Sequence, residues 1–336
     1  MKVKTTELKA TLDKIRPAIK QNDISEFGQY IYITNGHFVS YNGAICVLTK
    51  TDLDLDVALP ANEFLQFTNR ITAKEISFEV GDTIEIKSGR AKANFAINSD
   101  ILKRMDKLNI NVPLEFRPLP EDFIKGIKLV RHSVGADKTQ EHLTYLKVEG
   151  NTLASTDNFR VSEYTMESEM GAMKLPQAVL EHLIKYDFTD YQVDGNVAYF
   201  KDDETYFMTR LGEVEFVEYE YLFDVEGVDF VFPDNILNML SVANITTDGF
   251  ADIDKTVTIK IKDGIITASS KNDIGSVEID ENVDTKVEAK MIVNSQFIED
   301  ILNVTKKAVI SENLILFKTE KLKQVVALFW GAGEDK

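Results

Sequence analysis

One cysteine in 336 residues, Cys46, excludes an internal disulfide framework. Four histidines beside it leave too few ligands for a zinc site of ordinary spacing, so no metal is expected. Long apolar runs are missing too. Nothing approaches the roughly 18 residues of a membrane span, and the opening MKVKTTELKATLDK lacks the apolar stretch of a signal peptide. A reducing, cytoplasmic setting with no membrane partner is therefore expected. The chain has no GxGxxG, no P-loop and no GxSxG. The acidic run DLDLD (52–56) alternates with period two, which spaces its carboxylates along one face of a solvated strand. His132-Ser133 and Asp137 lack an arrangement that would activate a nucleophile. No catalytic residue and no cofactor are expected, and an enzyme of unrecognised chemistry ranks last among the readings. An excess of basic residues is absent as well. The formal charge of −17 argues against coating nucleic acid by bulk attraction. Local clusters of Lys and Arg can still contact phosphates.

What is present is a folded, repetitive chain. An apolar fraction of 44% and a charged fraction of 28% suit a soluble protein with a core, and the length suits two or three domains. The hairpin-like segments NGHFVSYNGAICVLT (35–49), EGNTLASTDNFRVSEY (149–164) and DGIITASSKNDIGSVEI (263–279) each carry a Gly, a strand, a polar turn and a second strand. Their leading glycines, Gly36, Gly150 and Gly264, lie 114 residues apart. Helix-like segments precede them at 7–20, 121–135 and 233–245. Others follow at 59–71, 175–186 and 293–305, and strand pairs come next at 76–97, 191–211 and 308–329. In the first helix Leu8, Leu12, Ile15 and Ile19 share one face. The expected fold is α+β: three tandem copies, 1–112, 113–224 and 225–336, of a helix-strands-helix-strands unit. Each copy is internally twofold, with antiparallel sheets and helices on one face.

Taken together, STDNFRV (155–161), the helix-then-strand run LPANEF…IKSGRAKANFAI with Ser88-Gly89-Arg90, and the closing QVVALF (324–329) resemble the bacterial-type DNA sliding clamp. That family is the processivity factor (beta subunit) of replicative DNA polymerases. The resemblance runs over essentially the whole chain and implies a head-to-tail homodimer closing a ring around duplex DNA, independent of sequence. Helices line the hole and sheets form the rim. An acidic rim with a modestly basic lining suits sliding, because strong phosphate neutralisation would hold the duplex in place.

The resemblance points to a DNA-facing set: Lys9, Arg16 and Lys20 on helix 7–20, Arg70 at the end of helix 60–71, Lys125, Lys128, Arg131 and His132 on helix 121–135, and Lys185 on helix 176–186. The third copy offers no Lys or Arg in 233–245, and it carries Glu299 and Asp300. The family also implies an outer pocket that accepts a hydrophobic peptide from the polymerase, the clamp loader and other partners. Carried over, its wall is Leu143, Thr156, Asn158, Phe159, Arg160, Val161, Val326, Ala327, Leu328, Phe329 and Trp330, with Asp157 structural. Asn158-Phe159 stands where the family usually has Gly-His. A monomeric clamp-fold binding protein that does not encircle DNA is the alternative.

Overall fold

The computed structural model describes residues 1–20, 26–108, 110, 112–247 and 255–329. The first repeat contains β1 (Lys2–Lys4), α1 (Thr5–Ile15), β2 (Tyr30–Thr34), β3 (His37–Tyr41), β4 (Ile45–Lys50), β5 (Val57–Pro60), α2 (Ala61–Arg70), β6 (Glu75–Val80), β7 (Thr83–Ser88), β8 (Ala91–Ala96) and α3 (Ser99–Asp106). The second contains β9 (Arg117–Pro118), α4 (Phe123–Val130), β10 (Tyr145–Thr156), β11 (Arg160–Pro176), α5 (Gln177–Leu183), β12 (Asp190–Asp194), β13 (Val197–Lys201) and β14 (Thr205–Arg210). The third contains β15 (Val228–Val231), α6 (Ile236–Ala243), β16 (Thr256–Lys262), β17 (Ile265–Lys271), β18 (Ser276–Asn282), β19 (Ala289–Asn294), α7 (Ser295–Leu302), β20 (Lys307–Ile310), β21 (Leu314–Lys318) and β22 (Leu322–Ala327).

All strand pairings are antiparallel, and their order repeats. One half-sheet runs β5-β2-β3-β4 in the first repeat and β19-β16-β17-β18 in the third. In the second repeat, β10 and β11 are continuous through register shifts near Gly150 and do the work of four strands. The other half-sheet runs β1-β6-β7-β8, β9-β12-β13-β14 and β15-β20-β21-β22.

Packing groups these elements into two bodies, Met1–Leu119 with Glu181–Glu213, and Pro120–Leu180 with Val214–Lys336. In the first body β4 pairs with β14, which makes an eight-stranded sheet from two repeats. In the second body β11 pairs with β22 across the next repeat boundary. Each body also holds one separate four-stranded sheet.

Helices form where the apolar stripe has somewhere to go. Leu8, Leu12 and Ile15 of α1 are buried against β3 and β4, and Phe123, Ile127 and Val130 of α4 against β10 and β11. Burying each such side chain contributes about 1.5–3 kcal/mol. Gly126 lets α4 approach closely, since a Cβ there would lie 2.4 Å from Leu153 Cδ1 and 2.6 Å from Tyr164 Cδ1. α1 stops earlier than its sequence pattern suggests. Pro17 has no N–H to continue the ladder, and Arg16–Ala18 tighten into a 3-10 turn.

One contact marks the repeat at atomic scale. Ser40 Oγ donates to the Ile15 carbonyl at 2.5 Å, Ser155 Oγ to the Val130 carbonyl at 2.5 Å, and Ser270 Oγ to the Ala243 carbonyl. Each satisfies an orphan carbonyl at the end of a repeat's first helix. The leading glycines Gly36, Gly150 and Gly264 all have positive φ, at 70°, 57° and 75°. That left-handed geometry explains glycine at the turns of Gly36 and Gly264 and at the register shift of β10 near Gly150.

Candidate functional site

The hexapeptide Thr156–Val161 forms the turn between β10 and β11. Asp157 organises it. Its Oδ1 accepts from the backbone N–H of Phe159 (3.1 Å) and Arg160 (3.0 Å), while Oδ2 accepts from Arg160 Nε (2.9 Å). Thr156 Oγ1 donates to the Arg160 carbonyl at 2.9 Å. Asn158 sits at φ 74°, a left-handed position that Asn tolerates better than most residues. It donates to Gln140 Oε1 at 2.9 Å.

Arg160 therefore points inward. Besides Asp157, it donates through Nη2 to the His132 carbonyl, and its guanidinium lies 4.6 Å from the Phe297 ring centroid. Phe159 is sandwiched between Phe297 and Phe329, both 6.0 Å away and inclined at 29° and 13°. The Ala327 N–H donates to the Phe159 carbonyl (2.7 Å), and the Phe329 N–H donates to the Ile292 carbonyl (2.8 Å). The expected wall residues on and beside β11 and β22 thus converge through the β11–β22 pairing. Leu143, Thr156, Val161 and Val326 are buried. Val161 packs with Ala154 and Tyr219, joined by Phe216, Leu222 and Phe223 of the segment before β15. Phe159, Arg160, Ala327, Leu328 and Phe329 are half-buried and Asn158 is exposed; the Arg160 guanidinium is engaged within the fold, which leaves the other five as the accessible part of the set. Trp330 lies outside the described residues.

Beneath the stack is a polar network that sequence alone did not reveal. Gln324 Nε2 donates to the Phe297 carbonyl (2.9 Å), leaving Oε1 to accept from Ser162 Oγ (3.1 Å) and His132 Nε2 (3.0 Å). This assigns the Nε2–H tautomer to His132. Burial pushes the His132 pKa below its ordinary 6.5. The Gln324 bond and the carboxylates of Asp300 and Asp157 oppose that shift, and Arg160 reinforces it. His132 was expected to face DNA, yet it is directed into the fold and belongs to this network.

The other basic candidates separate by surroundings. Lys125 and Lys128 are exposed on α4, and Arg70 and Lys185 are exposed as well. Arg16 is exposed and lies 3.6 Å from Asp13, and Lys20 is exposed beyond the 3-10 turn. Arg131 is half-buried. Lys9 donates to the carbonyls of Asn69 (3.2 Å) and Ile71 (2.8 Å), so it ties α1 to the end of α2. A Lys at that distance from a helix C-terminus meets its exposed carbonyls and negative dipole end. No helix among the described residues is long and apolar enough to cross a membrane.

No protein-family model matches the chain, and no curated protein matches it. Solved structures do. A DNA polymerase sliding clamp from Bacillus subtilis superposes with TM-score 0.81 at 16% identity, covering 98% of this chain and 99% of that one. A sliding clamp (DNA polymerase III subunit beta) from Bartonella birtlesii, bound to griselimycin, gives 0.86 at 14%, with the same coverage. A Helicobacter pylori beta clamp bound to a DNA ligase peptide gives 0.80 at 14%, again over 98% and 99%. Identity this low speaks to backbone architecture, and there the agreement extends from one end to the other: the chain has the fold of the bacterial DNA polymerase sliding clamp.

Proposed function

We propose that this protein is a DNA sliding clamp, a non-enzymatic processivity factor that encircles duplex DNA and tethers a DNA polymerase. The observation that carries the reading is the whole-length match, with 98% of this chain on 99% of a clamp chain. Three clamp domains, 1–112, 113–224 and 225–336, would give a six-domain ring from two chains joined head to tail. A closed ring holds DNA by topology, so a chain of net charge −17 needs only local cations where the duplex passes. Lys125 and Lys128 on α4, with Arg16, Lys20, Arg70, Arg131 and Lys185, are the proposed lining. Lys9 and His132 are left out because their polar atoms are engaged within the fold.

The proposed partner site is the exposed surface of the Phe159–Phe329 stack with Leu328, Ala327 and Asn158. A polymerase, clamp-loader or ligase segment with an aromatic or Leu anchor would pack on these rings. The Helicobacter pylori clamp bound to a DNA ligase peptide supports a peptide-docking role for this fold. A cytoplasmic location suits this reading.

The test is topological. Subunits separated at high salt are mixed with nicked circular DNA, returned to low salt and passed over a sizing column. The protein should co-elute with the circles, and it should be lost when a restriction enzyme linearises them. Retention that survives linearisation, or no retention at all, overturns the reading.

A further inference from the structure

Each repeat opens with a strand that stays at the edge of its sheet: β1, β9 and β15. One position on that edge can be followed through all three. On the neighbouring strand Phe78 pairs with Ile86, Tyr191 with Phe200 and Ala308 with Phe317, and a lysine follows each partner, Lys87, Lys201 and Lys318. The residues preceding Phe78, Tyr191 and Ala308 are therefore equivalent, and they stand opposite Lys2, Pro118 and Val231. Lysine and proline both discourage a further strand from joining an edge, one by its charge and the other by lacking an N–H. The third repeat has neither. Its valine is 61% exposed.

The backbone of β15 is open on the same side. The Phe232 N–H donates to the Lys306 carbonyl at 2.9 Å. Alternate residues of an antiparallel strand bond to one neighbour, so Phe232, Phe230 and Val228 turn toward β20, and Asp229 and Val231 turn away from it. Among the described residues no backbone bond engages Asp229 or Val231 on that open side. A groove of about 1010 Å³ runs beside the edge, with Val283 and Asp284, after β18, in its wall. Across the sheet, Asp229 is followed by Val309 and Leu316, so no cation reaches it from there, whereas Val231 is followed by Lys307. Asp229 and Asp284 are exposed, and neither pairs with a cation among the described residues.

We propose that β15 is a strand-addition site for an extended segment of a partner protein, one that carries an apolar residue and, two positions later, a lysine or arginine. Added antiparallel, the segment would exchange backbone bonds with Asp229 and Val231. Its apolar residue would lie opposite Val231 and its cation opposite Asp229, both on one face because side chains alternate. A second copy of β15, with the sequence VDFV, offers no cation to Asp229, which favours a different chain as the occupant. The site is separate from the Phe159–Phe329 surface, since β20, β21 and β22 lie between β15 and β11.

The probe is the capped, fluorescently labelled peptide STVTKTS, which has this spacing and direction; STKTVTS and STVTETS are the controls. In anisotropy titrations STVTKTS should bind the parent protein about tenfold more tightly than either control. Val231→Pro copies the second repeat and removes an N–H that the fold does not use, so it should weaken STVTKTS by about tenfold or more. Asp229→Lys should reverse the preference, taking STVTETS over STVTKTS, a gain that a misfolded protein cannot show. Amide hydrogen exchange locates the contact: at saturating STVTKTS the Asp229 and Val231 amides should slow, and those from Phe159 to Val161 should not. A preference unchanged by Asp229→Lys, protection at Phe159 in place of β15, or no binding at about 1 mM peptide overturns the proposal. Asp229 and Val231 amides that become protected in the parent alone as its concentration rises would assign the edge to a second copy, and overturn it too.

Discussion

Arg160→Ala offers the most demanding test of how the turn at Thr156–Val161 is built. The substitution removes the ion pair to Asp157, the bond to the His132 carbonyl and the contact with the Phe297 ring. The Arg160 and Asp157 side chains are 12% and 17% exposed, so water screens their interaction weakly. Breaking a buried pair costs about 3–5 kcal/mol, mostly through the charge left behind. Loss of the ring contact adds about 1 kcal/mol. Asp157 keeps its two backbone donors, which softens its isolation and brings the expected total to about 3 kcal/mol. Amide hydrogen exchange along Val161–Tyr164 and Leu322–Val326 isolates this ladder from the other body. A loss of that size accelerates local opening about 150-fold. Asp157→Asn keeps the Oδ1 acceptor but can set an amide NH2 against Arg160 Nε. Combining the two changes should therefore cost less than their sum, with a coupling of about 1–3 kcal/mol. Exchange rates unchanged by Arg160→Ala, or strict additivity of the pair, would refute the inward-facing role.

Lys125→Glu with Lys128→Glu should weaken retention on nicked circles, more at low than at high salt, and change the unfolding free energy in urea by less than about 0.5 kcal/mol, since both side chains are exposed. Gly126→Ala gains up to about 1 kcal/mol of helix propensity, but its methyl meets Leu153 and Tyr164. Overpacking of about 1–3 kcal/mol should win, leaving a net loss of roughly 1–2 kcal/mol in urea unfolding. For His132, burial holds the folded pKa below 6.5, so on acidification the unfolded chain takes up the proton first. Stability of its body should be level above about pH 6.5 and decline below it. His132→Gln should flatten that slope in a pH series of urea melts.

The repeat was legible because backbone geometry enforces it. Gly36, Gly150 and Gly264 all adopt left-handed backbone, and Leu8, Leu12 and Ile15 of the first helix's expected stripe are buried. α3 went unread. SDILKRMD is short and polar, and its signals are the Asn98 side chain accepting from the Ile101 N–H and the apolar trio Ile101, Leu102 and Met105. The joints β4–β14 and β11–β22 were also hidden, because alternation shows which face of a strand is covered and says nothing about which edge it meets. Among the expected wall residues the sequence pattern did not show which are covered: Leu143, Thr156, Val161 and Val326 are buried. An Arg in a turn reads as a rim charge until the carboxylate, the carbonyl and the ring around it are seen together. Lys9 is similar, a cation on a helix face whose targets are carbonyls 60 residues away.

The sharing of sheets between repeats also constrains how the chain can be made. β4 leaves the ribosome long before β14, its pairing partner, which is complete only at Arg210. At synthesis rates of about 5–20 residues per second, the edge carrying Cys46 and Leu48 waits on the order of ten to thirty seconds for its ladder. Through that interval the nascent first repeat is a half-sheet with an open, apolar border, the condition under which strands recruit the wrong neighbour. A synonymous-codon slowdown placed between residues 120 and 200 should lengthen this exposure and lower soluble yield, whereas the same slowdown after residue 215 should spare the first body entirely.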